Sequence, residues 1–234
     1  NPDAIASRGI GLEDVRTAIA NATTDLPKGN LEGKGQEYNT GTNDQLFSAD
    51  AFRHVIAAYR KGAQNAKAAG FDGVEIHGAN GYLLDQFLQD KTNHRTDAYG
   101  GSREKRARLM LEVSDAVAEV WGANRVGMHL APRGDSHDMG DSDPLKTFTY
   151  VARELGKRGL AFICTREKLG PDSISPAIRD AFGGPLIANE GFDQASAENL
   201  LAEGKADAVA FGKLIIANPD LVLRFAEGAP LNAW

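Results

Sequence analysis

Disulfide bonding is excluded at once, because the 234 residues hold a single cysteine, Cys164, and one thiol cannot close an internal bridge. Cys164 sits in the apolar run "LAFICT", where a buried, inert thiol is the ordinary reading. Basic runs are missing too. With 26 Lys and Arg against 32 Asp and Glu the formal net charge is −6, and no cation cluster marks a nucleic-acid or anionic-membrane surface. No stretch approaches the ~20 apolar residues of a membrane span, and the polar residues from Asn1 onward lack the charged-then-apolar order of a signal peptide. These absences lead us to expect a cytoplasmic chain with small-molecule partners, and neither nucleic acid nor membrane among them.

What is present is enough to build a core. Hydrophobic residues make up 42% of the chain, which suits one large or two small domains. Past about residue 50, strand-length apolar runs alternate with amphipathic helical patterns. The runs are "GVEIH" (73–77), "VGMHL" (126–130), "LAFICT" (160–165), "PLIAN" (185–189) and "AVAFG" (208–212). Apolar residues in succession suit parallel strands covered on both faces. Between them, Leu109, Met110, Val113, Ala116, Val117 and Val120 recur at helical spacing, as do Phe148, Val151, Ala152 and Leu155. Ser142 or Asp143 can cap the second of these helices, with Pro144 in its first turn. Phe52, Val55, Ile56, Tyr59 and Ala66 mark an earlier helix ending near Gly70. Five strand-helix units in series suggest a (β/α)8 barrel or a doubly wound sheet, and five are too few to close the barrel.

The first 50 residues differ in texture. "RGIGLEDVRTAIANA" reads as one short helix, and Gly29, Gly33, Gly35 and Gly41 are scattered as turn residues without the order of a phosphate loop.

Chemistry concentrates after the first strand. "FDGVEIHGANGYLLDQF" (71–87) sets His77, Asn80 and Tyr82 at a glycine-bounded corner. In parallel α/β folds the carboxyl ends of strands face the ligand. An imidazole and an amide donating toward one carbonyl oxygen would stabilise developing negative charge, while a phenol supplies a proton. That combination suits reduction of a polarised double bond; the competing reading is a capped turn with a satisfied core histidine. "GDSHDMGDSD" lacks the central glycine and terminal glutamate of a calcium loop, so a solvated acidic loop capping the next helix is expected and no metal site is read. Arg103, Arg106 and Arg108 fit a solvated or ion-paired helix start. His54 and His94 have no local partners that suggest catalysis.

"GFDGVEIHGANGYLLDQFL" followed by "RTDAYGGSREKRARLMLEV" strongly resembles the Old Yellow Enzyme family of FMN-dependent ene reductases. The resemblance continues through "GDSDPLKTFTYVARELGKRGLAF", "LIANEGFD" and "ADAVAFGKLIIANPDLVLRFAEGAPLN". It implies a barrel that holds FMN at its strand ends, reduced by NAD(P)H and then reducing activated alkenes such as enones, maleimides and nitroalkenes. His77 and Asn80 would bind the substrate's carbonyl or nitro oxygen, and Tyr82 would protonate its α-carbon. The flavin phosphate would lie near Asn189, Glu190 and Gly191 and near Gly212 with Lys213. Two positions depart from the family pattern. Lys213 and His129 each stand where arginine is usual, the second at a flavin-contacting position.

The resemblance also implies three strand-helix units before "GVEIH", which residues 1–54 do not provide. That segment instead resembles part of the periplasmic docking region of resistance-nodulation-division efflux transporters. The expected organisation is therefore a hybrid: a short unrelated α+β segment over 1–54, then a partial (β/α)8 barrel of about five C-terminal units over 55–234, joined near "AYRKGA" (58–63). Open sheet edges would favour self-association. The alternative function is a catalytically silent fragment or interaction module; a sugar-phosphate barrel enzyme would explain the phosphate site but not the corner.

Overall fold

The computed structural model describes residues 49–168 and 170–233, together with the backbone of residues 30–33 and 36–39. The chain divides into two compact units, Asn1–Phe47 and Ser48–Trp234. In the first, β1 (Asn30–Gly33) pairs antiparallel with β2 (Gln36–Asn39). The short helix expected in "RGIGLEDVRTAIANA" lies outside the described residues, as do Gly29, Gly35 and Gly41.

The second unit is a run of β/α units. Helix α1 (Ala49–Ala68) leads into β3 (Val74–Gly78), then α2 (Leu83–Leu88) and α3 (Arg103–Trp121). Next come β4 (Val126–Leu130), α4 (Pro144–Lys157), β5 (Phe162–Arg166), α5 (Ser175–Phe182) and β6 (Leu186–Asn189). Helix α6 (Gln194–Ala202), β7 (Ala208–Ala210), α7 (Lys213–Ala217) and α8 (Leu221–Glu227) complete it. The five strands form one parallel sheet in sequential order, β3-β4-β5-β6-β7. Every strand-length apolar run in the sequence corresponds to one of them.

Side-chain alternation divides the sheet into two unlike faces. Ile76, Met128, Leu130, Ile163 and Leu186 point to the helix side and are at most 4% exposed. Leu109, Met110, Val113, Val117, Phe148, Val151, Leu155 and Ile178 are likewise buried on α3, α4 and α5. The periodicities read from the sequence thus mark the core-facing stripes of α3 and α4. The expectation of strands covered on both faces needs correction. On the inner face Glu75 and His77 are exposed, and His129, Phe162, Arg166, Ile187 and Asn189 are only half-buried. The helices cover one side of the sheet, and β3 and β7 are its edges among the described residues. On that inner face Gly127 is required by its neighbour, since a Cβ there would stand 2.2 Å from the Phe162 ring.

The loop before α4 is less solvated than its acidity suggests. Asp143 caps α4 by accepting from Lys146 N–H at 3.2 Å, and Pro144 occupies the first turn. Asp138 is exposed and pairs with Lys91 at 2.6 Å. The Asp141 side chain, however, is fully buried, where it accepts from Arg106 Nη2 at 3.0 Å and from Thr147 Oγ1 at 2.9 Å. Arg106 is itself 7% exposed and also donates to the Leu88 and Gly101 carbonyls, both at 2.8 Å. The expected ion-paired helix start is therefore an interior clamp joining α2, α3 and the loop ahead of α4. Replacing Asp141 with Ala strands a buried guanidinium and is expected to cost about 3–5 kcal/mol. The check is a lower urea midpoint with an unchanged m-value.

Candidate active site at the carboxyl ends of the strands

The corner after β3 has a backbone that few sequences tolerate. Asn80 (φ 59°) and Gly81 (φ 76°) both sit in the left-handed region, which asparagine and glycine enter at low cost. A Cβ on Gly81 would also come within 2.6 Å of the Ser136 carbonyl. Asp85, only 1% exposed, locks the corner from below: it accepts from Gly81 N–H at 3.0 Å and from Gln89 Nε2 at 2.7 Å. Burial pushes the Asp85 carboxyl up to about 6, against the opposing pull of the Gln89 and Gly81 hydrogen bonds. Gln86 Nε2 closes the loop by donating to the Gly81 carbonyl at 2.6 Å.

The three expected corner residues come together. His77 ends the exposed face of β3, and its ring centroid lies 5.4 Å from that of Tyr82, edge to face. Tyr82 is the N-cap of α2 and is 57% exposed. Asn80 is held by a residue that sequence reasoning missed: Arg166 Nη1 donates to Asn80 Oδ1 at 2.9 Å, which turns the amide NH2 out as the donor. Arg166 Nη2 also reaches Glu190 at 3.2 Å. His137, equally unforeseen, places its ring 5.4 Å from that of Tyr82, with Nδ1 at 2.9 Å from the Asn80 carbonyl. Partial burial of the His77 ring holds it below the usual imidazole value, which favours the neutral form with one N–H to donate.

His129 stands beside His77 on the next strand, in register with it, at 5.3 Å between ring centroids. Its Nε2 is buried with no hydrogen-bond partner. Nδ1 lies 3.8 Å from Glu75 Oε1, but burial, with help from His77 and Arg166, pushes His129 down to about 4. The imidazole is thus neutral at physiological pH, and its approach to Glu75 is a contact between a neutral ring and a carboxyl group.

At the ends of β6 and β7 a cavity of about 650 Å³ is lined by Asn189, Glu190, Gly191, Gly212 and Lys213, together with Arg166 and Lys168. Glu190 (φ 99°) and Gly191 (φ 77°) continue the strand in left-handed backbone, a strained conformation for glutamate. A Cβ at Gly191 or Gly212 would meet nothing within 4 Å, so both backbones are open to an approaching group. The Asn189 side chain is otherwise engaged, donating to the Ala210 carbonyl at 2.9 Å and tying β6 to β7. The donor set fits FMN at both ends: open glycine backbone and cations for a phosphate, and an unpartnered buried nitrogen on the inner face for a polar ring.

Glu167, next to Arg166, anchors this rim. It is 4% exposed and accepts from Arg133 Nε at 2.6 Å, Ile174 N–H at 3.0 Å, and Ser175 N–H at 2.9 Å. Burial raises its pKa, yet the hydrogen bonds from Ile174, Ser173 and Ser175 prevail and hold it below the usual glutamate value.

Parallel strands that present their polar side chains at the carboxyl ends, with glycine and cation at the last two, have the arrangement of the ligand-binding end of a β/α barrel. Comparison with known proteins makes the assignment specific: the chain belongs to the NADH:flavin oxidoreductase / NADH oxidase family, whose profile matches residues 12–232. It is 44% identical over 196 residues to 12-oxophytodienoate reductase 1 of Oryza sativa subsp. japonica, covering 79% of this chain and 51% of that protein. Against a Leishmania infantum protein described as a probable flavin mononucleotide-dependent alkene reductase it is 42% identical over 206 residues, covering 86% and 55%. The structure matches morphinone reductase with a TM-score of 0.77 at 45% identity, covering 80% of this chain and 52% of that one. An Old Yellow Enzyme homologue from Zymomonas mobilis matches at 0.78 and 36%, covering 90% and 61%. The fold is therefore part of a (β/α)8 barrel, and the chain spans about half the length of the relatives it matches.

The two perturbed groups oppose each other in acid. Unfolded, His129 protonates near 6.5, whereas folded it stays neutral down to about 4, so stability falls as pH drops through that window. Asp85, raised from 3.8 to about 6, acts in the opposite sense: its contribution falls as pH rises from 3.8 to 6. His129→Gln removes the first effect and leaves the second. Urea melts at pH 7 and pH 4.5 are expected to show a smaller loss for His129→Gln than for the wild type; equal losses would assign the acid limb to other groups.

Proposed function

We propose that this chain is an FMN-dependent oxidoreductase that reduces the C=C bond of activated alkenes (enones, maleimides and nitroalkenes), with NAD(P)H as the electron source. The observation that carries the reading is the corner itself: a neutral imidazole, an amide turned out as a donor and a phenol, all at one strand end. Family membership and the named activities of the relatives support it. Bound on the inner face, FMN would supply the hydride for the β-carbon. His129 would face its ring, and Gly191, Gly212 and Lys213 its phosphate, with Glu190 shaping the loop beneath.

The remaining steps belong to this chain's own side chains. His77 and the Asn80 amide donate to the carbonyl or nitro oxygen, where negative charge grows as the β-carbon is reduced, and loss of one such donor typically costs about 10²–10³ in rate. Tyr82 delivers a proton to the α-carbon and, being half exposed, recovers it from water. His77 serves as a donor without carrying charge, so the oxygen is polarised without binding a carboxylate in its place.

The division at residue 54 belongs to the same proposal: a segment of separate origin, then the partial flavin barrel. The separate compact unit Asn1–Phe47 supports it, while the family match from residue 12 and the unbroken helix α1 weigh against a boundary that late. Among the described residues no helix is long and apolar enough to cross a membrane. A cytoplasmic location, where NAD(P)H is at hand, and self-association through the open edges at β3 and β7 complete the reading.

The test begins with the absorption spectrum of the purified chain after FMN is offered and the excess removed, alongside its elution volume on a sizing column. A protein-bound flavin spectrum at a defined size is expected; a colourless protein leaves family membership intact and favours a silent fragment. Given bound flavin, Tyr82→Phe is expected to slow alkene reduction by about 10²–10⁴ while flavin reduction by NAD(P)H changes little. Equal losses in the two half-reactions would remove Tyr82 from the proton-donor role.

A further inference from the structure

Arg166 closes β5 on the inner face, in register with Asn189 of β6. Its two outer nitrogens point to different parts of the site: Nη1 donates to Asn80 Oδ1 at 2.9 Å, and Nη2 to Glu190 Oε1 at 3.2 Å. Asn80 belongs to the substrate corner and Glu190 to the cavity at the ends of β6 and β7. One side chain therefore spans both halves of the site. A planar guanidinium with fixed donor directions is suited to such a bridge, and lysine is not.

Charge gives the bridge a second consequence. The neighbouring inner-face histidine, His129, is neutral and leaves its buried Nε2 unpartnered, so it contributes no positive potential. A guanidinium, by contrast, is a permanent cation. Its partner Glu190 is as exposed as Arg166 itself, with side chains at 35% each, so water screens their pairing and the ion pair sets geometry rather than cancelling the field. Reduction of a flavin adds negative charge to the ring, and a fixed cation nearby favours the reduced form.

We propose that Arg166 is the positioning residue and resident cation of this site: it holds the Asn80 amide with NH2 toward the substrate oxygen and stabilises reduced FMN over the inner face. The assignment rests on the FMN-dependent reading above.

The experiment uses the full chain with Arg166→Met, which removes the charge at similar length, and Arg166→Lys, which keeps the charge but cannot bridge two acceptors. Binding constants for oxidised and reduced FMN are measured anaerobically for all three proteins, with the KM for a simple enone. Arg166→Met is expected to lower the ratio of the oxidised to the reduced dissociation constant about tenfold, a fall of ~30 mV in two-electron midpoint potential, and to raise the KM. Arg166→Lys is expected to keep the potential near the wild-type value yet raise the KM. In unloaded protein, the Asn80 side-chain amide resonances should shift in both variants. The proposal is overturned if Arg166→Met, folded by its urea midpoint, leaves the potential and the KM unchanged while the wild type binds FMN. A wild type that binds no FMN sinks the functional reading and this assignment with it, whereas variants equal to a flavin-binding wild type sink only the assignment.

Discussion

The two-residue period of five parallel strands is the constraint from which the rest of the molecule follows. Because in-register residues of parallel strands face the same way, one set of alternate positions meets the helices and the other meets the open interior. The first set, from Ile76 to Leu186, is buried and, Thr165 apart, apolar, and it supplies hydrophobic stabilisation to the unit. The second set, Glu75, His77, His129, Cys164, Arg166, Ile187 and Asn189, is free to vary chemically because the core does not depend on it. A shift of one residue in any strand would bury its polar set and expose its apolar one.

Three buried polar clusters then hold the loops at the carboxyl ends. Asp85 fixes the corner after β3, Arg106 with Asp141 fixes the loop ahead of α4, and Glu167 fixes the turn into α5. Each is satisfied by several donors or acceptors, which is what makes an interior charge tolerable. Their common effect is rigidity around the candidate site, on segments that lack the ladder hydrogen bonds of the sheet. The corner after β3 holds Asn80 and Gly81 in left-handed backbone, and the buried Asp85 carboxyl is what keeps it there.

Much of this was legible in the sequence. Apolar runs identified the five strands to within two residues, and helical spacing named the core-facing stripes of α3 and α4, since both patterns are written in single-residue periods. The corner of His77, Asn80 and Tyr82 could be read because its residues are adjacent in the chain. Arg166 and His137 could not be, because they reach Asn80 across 86 and 57 residues and only folding brings them there. Arg166 nevertheless left a signal: a charged residue closing the apolar strand "FICTR" sits where strand-end side chains face a ligand, by the same rule that selected His77. Asp85 left a fainter one, an acid among the apolar residues of "LLDQFL", the segment that forms α2. The interior fate of Asp141 left none, because acidic loop residues look alike until a buried arginine singles one out.

Cys164 faces the same interior as His77 and His129, one strand beyond the second of these. Burial, reinforced by Glu75, pushes its thiol up to about 12. Conjugated carbonyls, maleimides and nitroalkenes are electrophiles that alkylate thiolates rather than thiols. A site handling such compounds is exposed to attack on its own cysteines, and this chain carries only one. Held in its protonated form and 7% exposed, that sulfur would be chemically mute toward such molecules. Under the proposed function, a thiol kept protonated on the floor of the site would resist alkylation by the very compounds that the site reduces.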